Sequence, residues 1–140
     1  NYPDKGYYIL TKTSNASSGE IQDVQTGGKE FFLHIAEMIV KWYHPGIGSV
    51  AGATYPEQLD KISETFTKSG KEIAFLIPGV GTQGGSISEA MAVLRKCSDV
   101  RIHRINASSS INYAYKTYKG MSYDDAAAEA LKQMNEEIAL

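Results

Sequence analysis

The densest chemical signal in the sequence is the run Phe75-Leu76-Ile77-Pro78-Gly79-Val80-Gly81-Thr82-Gln83-Gly84-Gly85. Its glycines stand between a continuous apolar stretch and a segment of helical spacing. There they can bring backbone N–H groups against a ligand at a helix start, which suits an anion. The spacing is neither a Walker A nor a dinucleotide fingerprint. The residues alone therefore leave two readings, an anion-binding loop after a strand or a tight turn that only connects. The other reactive side chains are scattered. His34, His44 and His103 lack metal-ligand spacing, so no metal site is expected. Cys97, the one cysteine, excludes an intrachain disulfide and reads as a packed thiol at a helix end. Asp124-Asp125 and Glu136-Glu137 read as a helix-start bias and a solvated face.

The elements that must position these residues alternate. Tyr7 to Thr11 reads as a strand; Glu30 to Tyr43 reads as a helix with Phe31, Phe32, Ile35, Ala36, Ile39 and Val40 on one broad face, stopped by Pro45-Gly46. Gly48 to Thr54 reads as a second strand, followed by a helix that starts at Pro56, carries Leu59, Ile62 and Phe66, and stops at Gly70. Ile73 to Ile77 is the third strand, apolar throughout as in a sheet covered on both faces. Ser86 and Glu89 fit a capping box for a helix bearing Ala90, Val93 and Leu94. Val100 to Ile105 is a fourth strand; behind it come a short helix near Ile111 to Tyr118 and a last helix opened by Ser122, with Ala127, Leu131, Met134 and Ile138 on one side. Crossovers longer than ten or so residues require parallel pairing, so the expected fold is α/β with four βα units. In such folds the loops after the strands form the ligand face. The polar stretch Thr13 to Thr26 and the glycine loop should share that rim.

Composition sets the bounds. The 140 residues are 42% hydrophobic and 21% charged, with 13 Gly against 4 Pro, as in a globule with a real core. A formal net charge of −2 speaks against a nucleic-acid partner bound by bulk phosphate neutralisation. No apolar run reaches the ~20 residues of a membrane helix and nothing resembles a signal peptide, so the expected setting is the cytoplasm, without membrane contact. The sequence opens Asn1-Tyr2-Pro3 without Met and is expected to start inside a longer reading frame.

Pro78-Gly79-Val80-Gly81-Thr82-Gln83-Gly84-Gly85 closely resembles the phosphate-gripper loop of the orotidine 5′-monophosphate decarboxylases. Gly52-Ala53-Thr54-Tyr55-Pro56-Glu57-Gln58-Leu59 is similar to that family's Gly-Ala-Thr-x-Pro-Glu-x-Leu segment at the sixth strand. Thr13-Ser14-Asn15-Ala16-Ser17 followed by Gln22 resembles the Thr-Ser-Asn-Pro-Gly…Gln pattern of the type 2 branch. The three segments occur in family order. The resemblance therefore implies strands five to eight of a (β/α)8 TIM barrel, a C-terminal half barrel filling residues 1–140 as one unit.

The resemblance also implies roles, residue by residue. Ser14 matches the serine that hydrogen-bonds the pyrimidine ring; taken alone it reads as a loop hydroxyl capping local backbone. Pro78 matches a proline lining the pyrimidine pocket, or is simply a strand-end proline. Gln83 matches the glutamine that folds over the 5′-phosphate, otherwise a solvated amide. Gly84 and Gly85 either offer N–H groups to that phosphate or only permit the turn. Ser109 departs from the family pattern, standing where an arginine is expected to pair with the phosphate. With Ser108 it can hold phosphate through hydroxyls and N–H groups. Otherwise a basic residue elsewhere compensates, or the alignment slips.

Family members are understood to convert orotidine monophosphate (OMP) to UMP and CO₂ without a cofactor, using a lysine and carboxylates of an Asp-x-Lys-x-x-Asp motif on the third strand and a carboxylate across a dimer interface. No Asp-x-Lys-x-x-Asp occurs in this sequence, and Asp4-Lys5 and Asp60-Lys61 have the wrong spacing. The resemblance thus implies no catalytic residue in this chain, inactivity of the chain alone, the N-terminal half of the same barrel as partner, and a homodimer of the complete enzyme. The alternative is a non-catalytic or sugar-phosphate-binding half barrel that associates with itself. A half barrel would leave two strand edges to be paired or covered.

Overall fold

The computed structural model describes residues 4–81, 84–97 and 99–139. Strand β1 (Tyr7–Lys12) leads through short helix α1 (Gly19–Gln22) into a hairpin of β2 (Gln25–Thr26) and β3 (Lys29–Glu30). Helix α2 (Phe31–Lys41), strand β4 (Ile47–Ala51), helix α3 (Pro56–Lys68), strand β5 (Ala74–Ile77) and helix α4 (Ile87–Cys97) alternate as expected. A 3-10 turn precedes the short strand β6 (Arg104–Ile105), and α5 (Ser109–Asn112) and the long helix α6 (Tyr123–Ala139) close the described chain. The main sheet has the order β1-β4-β5-β6, parallel throughout.

One face of this sheet meets the helices. Ile47, Ala51, Phe75 and Ile77 are buried against Phe32, Ala36 and Ile39 of α2, Leu59, Ile62 and Phe66 of α3, and Ala90, Val93 and Leu94 of α4. Thr11 and Ser49 lie buried on this face and satisfy each other through a 2.7 Å hydroxyl–hydroxyl hydrogen bond. The alternate residues are different. Tyr8 (45% exposed) and Leu10 (57%) are open, and Val50 and Leu76 are only half-buried. Apolar residues on an uncovered sheet face, with β1 and β6 as bare edges, describe a sheet that the described residues cover on only one of its two faces.

Several expectations shift in detail. The fourth strand does not run from Val100: the Asp99 carboxylate accepts the Arg101 N–H at 3.0 Å and winds Val100–Ile102 into a 3-10 turn, leaving only Arg104–Ile105 as strand. The polar stretch after β1 is structured, and its hairpin turns on Gly27 (φ 59°) and Gly28 (φ 85°), the paired left-handed conformations of a two-residue turn. Phe31, expected on the apolar face of α2, is exposed, while Phe32, Ala36 and Ile39 are buried. In α6 the buried face is Ala126 and Ala130, continued by Met134 and Ile138, and Leu131 lies outside. Small residues there let the helix sit close, and i, i+4 spacing from Ala126 fixes the phase. Ser122 does open this helix, its Oγ accepting the Asp125 N–H at 3.2 Å. Ser86 likewise accepts from Glu89 N, at 3.3 Å, ahead of α4.

Candidate functional site

The C-terminal ends of the four parallel strands are stitched together by backbone bonds that run past the strands themselves. Gly52 N donates to Lys12 O (2.9 Å), Ala53 N to Pro78 O (2.8 Å) and Asn106 N to Ile77 O (2.9 Å). The loops that follow β1, β4, β5 and β6 are thereby brought side by side. Gly52 lies against Ser14 so closely that a Cβ on Gly52 would stand 2.8 Å from Ser14 N, Cα and Cβ. A Cβ on Gly85 would meet Gly79 O at 2.6 Å and Ala53 Cβ at 2.7 Å, and one on Gly81 would meet Ser110 Oγ at 2.6 Å. At Gly52 and Gly85 the neighbouring backbone leaves no room for a Cβ, and at Gly81 the positive φ of 75° favours glycine.

The glycine loop is closed on itself. Gly79, Gly81 and Gly84 take positive φ, and Gly81 N bonds Gly85 O (3.0 Å), Gly84 N bonds Gly81 O (2.8 Å) and Gly85 N bonds Gly79 O (3.0 Å). In this conformation the Gly84 and Gly85 amides shape the loop. Gln83 lies outside the described residues. Pro78 ends β5 half-buried, with its carbonyl held by Ala53. Ser108 and Ser109 are exposed at the start of α5, and the Ser108 side chain does not cap it. Arg104, the basic residue nearest in sequence, donates to the carbonyls of Arg101 (2.8 Å) and His103 (2.7 Å) and so is tied to the start of β6 rather than to Ser109.

The loop after β1 is held from within. Thr13 N donates to Gln22 Oε1 at 2.9 Å, and Lys12 Nζ reaches Asp23 Oδ1 at 2.8 Å. Asp23 Oδ1 also accepts from Gln58 Nε2 at 3.1 Å, and the Lys12 ammonium lies 5.0 Å from the Tyr55 ring centroid. In the sequence, Lys12 stands at a polar strand end and reads as solvated. The structure buries it to 1% exposure. The register shift between Leu10 and Lys12 turns it to the helix side. Ser18 Oγ, Thr54 Oγ1 and Gln58 Oε1, all on these two loops or the first turn of α3, are buried without a hydrogen-bond partner among the described residues. Among the described residues no cluster of His, Cys, Asp and Glu could hold a metal ion, and no helix is long and apolar enough to cross a membrane.

No protein-family model matches the chain. Individual relatives do. The orotidine 5′-phosphate decarboxylase of Caldicellulosiruptor bescii is 34% identical over 142 residues, which covers 96% of this chain and 45% of the relative. That of Dehalococcoides mccartyi is 37% identical over 142 residues, covering 98% of this chain and 50% of the relative. The chain is homologous to the C-terminal half of the orotidine 5′-phosphate decarboxylases. It spans about half the length of the curated relatives it matches. Solved structures agree: a Leishmania donovani UMP synthase superposes with a TM-score of 0.73 at 26% identity, over 97% of this chain and 28% of that one. A Leishmania donovani OMP decarboxylase gives 0.72 at 24% identity over 99% of this chain and 50% of that one, a likeness of fold. The parallel sheet thus matches four strands of the TIM barrels of these neighbours. Its uncovered face, with Tyr8 and Leu10, is the one that a closed barrel turns inward.

Proposed function

We propose that this chain supplies the pyrimidine- and phosphate-binding half of an orotidine 5′-monophosphate decarboxylase, which converts OMP to UMP and CO₂. The observation that carries this reading is the contact among the three motif segments and the serine run after β6: Ser14 against Gly52, Ala53 bonded to Pro78, and Gly81 facing Ser110, all on the one rim. Ser14 and Pro78 contact the pyrimidine, and Gln83, Ser108 and Ser109 hold the 5′-phosphate, while Gly84 and Gly85, their amides bonded to Gly81 O and Gly79 O, shape the loop around it. Ser108 and Ser109 offer hydroxyls and no charge, so phosphate affinity rests on dipoles at this end of the site.

The chemistry sets what else is needed. Loss of CO₂ leaves a carbanion at C6 of the ring, which must be met by a positioned ammonium and then protonated. Phosphate binding far from C6 can lower that barrier only if the ammonium is present. Lys12 is buried on Asp23 and takes no part in it. The Asp-x-Lys-x-x-Asp lysine therefore comes from the N-terminal half of the barrel, which covers the face bearing Leu10. The assembled enzyme works without a cofactor, in the cytoplasm, as a homodimer.

The test has two arms. Isothermal titration of the chain with UMP, 6-substituted UMP analogues and ribulose phosphates should show binding of the pyrimidine nucleotides only. Preference for the sugar phosphates would replace this reading with a sugar-phosphate-binding half barrel. UMP formation should be undetectable with the chain alone and appear on co-expression with the N-terminal half of a relative; normal turnover by the chain alone would overturn the assignment of the lysine.

A further inference from the structure

We infer that Lys12 and Asp23 form a positioning pair that fixes Ser14 on the ligand rim, an inference that rests on the reading of Ser14 as the pyrimidine contact. Lys12 is among the largest fully buried side chains of the described residues, and it carries a charge. An ammonium withdrawn from water costs several kcal/mol unless it is paired and well placed, and an apolar side chain of the same volume would pack at less cost. A charge kept there needs a use, and its contacts indicate one.

Lys12 and Asp23 are the two ends of the loop that carries Ser14. Their 2.8 Å ion pair joins residues eleven apart in sequence, and Thr13 N to Gln22 Oε1 closes a second, inner latch at 2.9 Å. The same lysine holds the neighbouring segment as well. Its carbonyl accepts from Gly52 N, its ammonium faces the Tyr55 ring, and Gln58 donates to the same Asp23 oxygen. Gly52 in turn lies directly beneath Ser14. Ser14 is therefore held by its own loop and by the segment below it, and Lys12 belongs to both. At 1% exposure the ammonium touches no ligand, so it acts through Ser14 and is not a catalytic residue.

Asp23→Asn and Lys12→Met, each alone and with Ser14→Ala, test this by amide hydrogen exchange and by titration with uridine and UMP. Exchange across residues 13–23 should quicken about tenfold, the scale of one lost charge-assisted bond, while the amides of β4, β5 and α3 stay protected. Uridine and UMP should weaken by the same factor, because the phosphate loop is untouched. In the Ser14→Ala background neither variant should weaken uridine further. Additive losses, unchanged exchange, or faster exchange throughout the chain in Asp23→Asn would overturn the pair as a positioning device. Asp23 is the milder site, half-exposed and isosteric with Asn, and decides the matter if Lys12→Met does not fold. If the unaltered chain binds neither uridine nor UMP, the functional reading fails, and the exchange measurement alone decides whether the pair latches the loop.

Discussion

His103 Nδ1 accepts the Phe75 N–H at 3.0 Å, and its ring also lies against the Phe75 ring, with centroids 5.4 Å apart. The ladder between β5 and β6 holds only the pairs Leu76–Arg104 and Ile77–Ile105. A side chain thus serves a strand amide that the short partner strand leaves over. That requires Nδ1 to carry a lone pair, hence an imidazole protonated at Nε2 only.

Burial holds His103 at about 4, below its ordinary 6.5; Asp99 opposes the shift and Arg104 adds to it. Folding therefore favours the neutral ring. Its contribution to stability is complete above pH 6.5 and is lost as pH falls through 4. The melting temperature should decline over that window and decline less in His103→Asn, which keeps an acceptor and removes the titration. Asp99, held at about 2 by the Arg101 guanidinium and N–H, loses its contribution only at lower pH, so the two are separable by their windows. A variant with the same slope as the parent between pH 6.5 and 4 would remove His103 from this account.

Ser14 and Gln83 should separate by ligand. Ser14→Ala should weaken uridine and UMP alike, whereas Gln83→Ala should weaken UMP by about 1–3 kcal/mol and leave uridine unchanged. Titration of both variants with both ligands checks this; a Ser14→Ala loss confined to UMP contradicts a role at the ring.

The rim glycines make a steric prediction. Gly85→Ala places a methyl 2.6 Å from Gly79 O and 2.7 Å from Ala53 Cβ, and should destabilise the fold by about 1–3 kcal/mol in urea unfolding. Gly52→Ala meets Ser14 at 2.8 Å and should cost pyrimidine affinity as well as stability. Gly70→Ala is the control: φ is +67° with nothing within 4 Å, so only the left-handed strain of about 1 kcal/mol is expected.

Leu10 reports on the uncovered sheet face. At 57% exposure, Leu10→Glu should leave the melting temperature of the chain within about 0.5 kcal/mol equivalent of the parent. On the same face of a closed barrel a carboxylate would be buried without a partner, so assembly with the N-terminal half should be lost. Size-exclusion chromatography with light scattering of the mixed halves measures this, and retained assembly would show that the partner half does not cover Leu10.

The sequence by itself determined the βα alternation, because periodicity of two and of three to four is written locally, and Pro56, Gly70, Ser86 and Ser122 mark helix ends through their own backbone chemistry. It also determined that the three motif segments belong to one family, since motifs survive as short strings. It did not show the 3-10 turn at Val100–Ile102, where a local Asp99 cap outcompetes strand pairing, nor the phase of α6, which the close fit of Ala126 and Ala130 decides. It gave no sign of Lys12 as a buried ion pair. That depends on a register shift in β1 and on Asp23, Tyr55 and Gln58 arriving from segments distant in sequence. The placement of Ser14 over Gly52 was likewise decided only in three dimensions, because a contact between two loops is a property of the sheet order that brings them together and of neither loop alone.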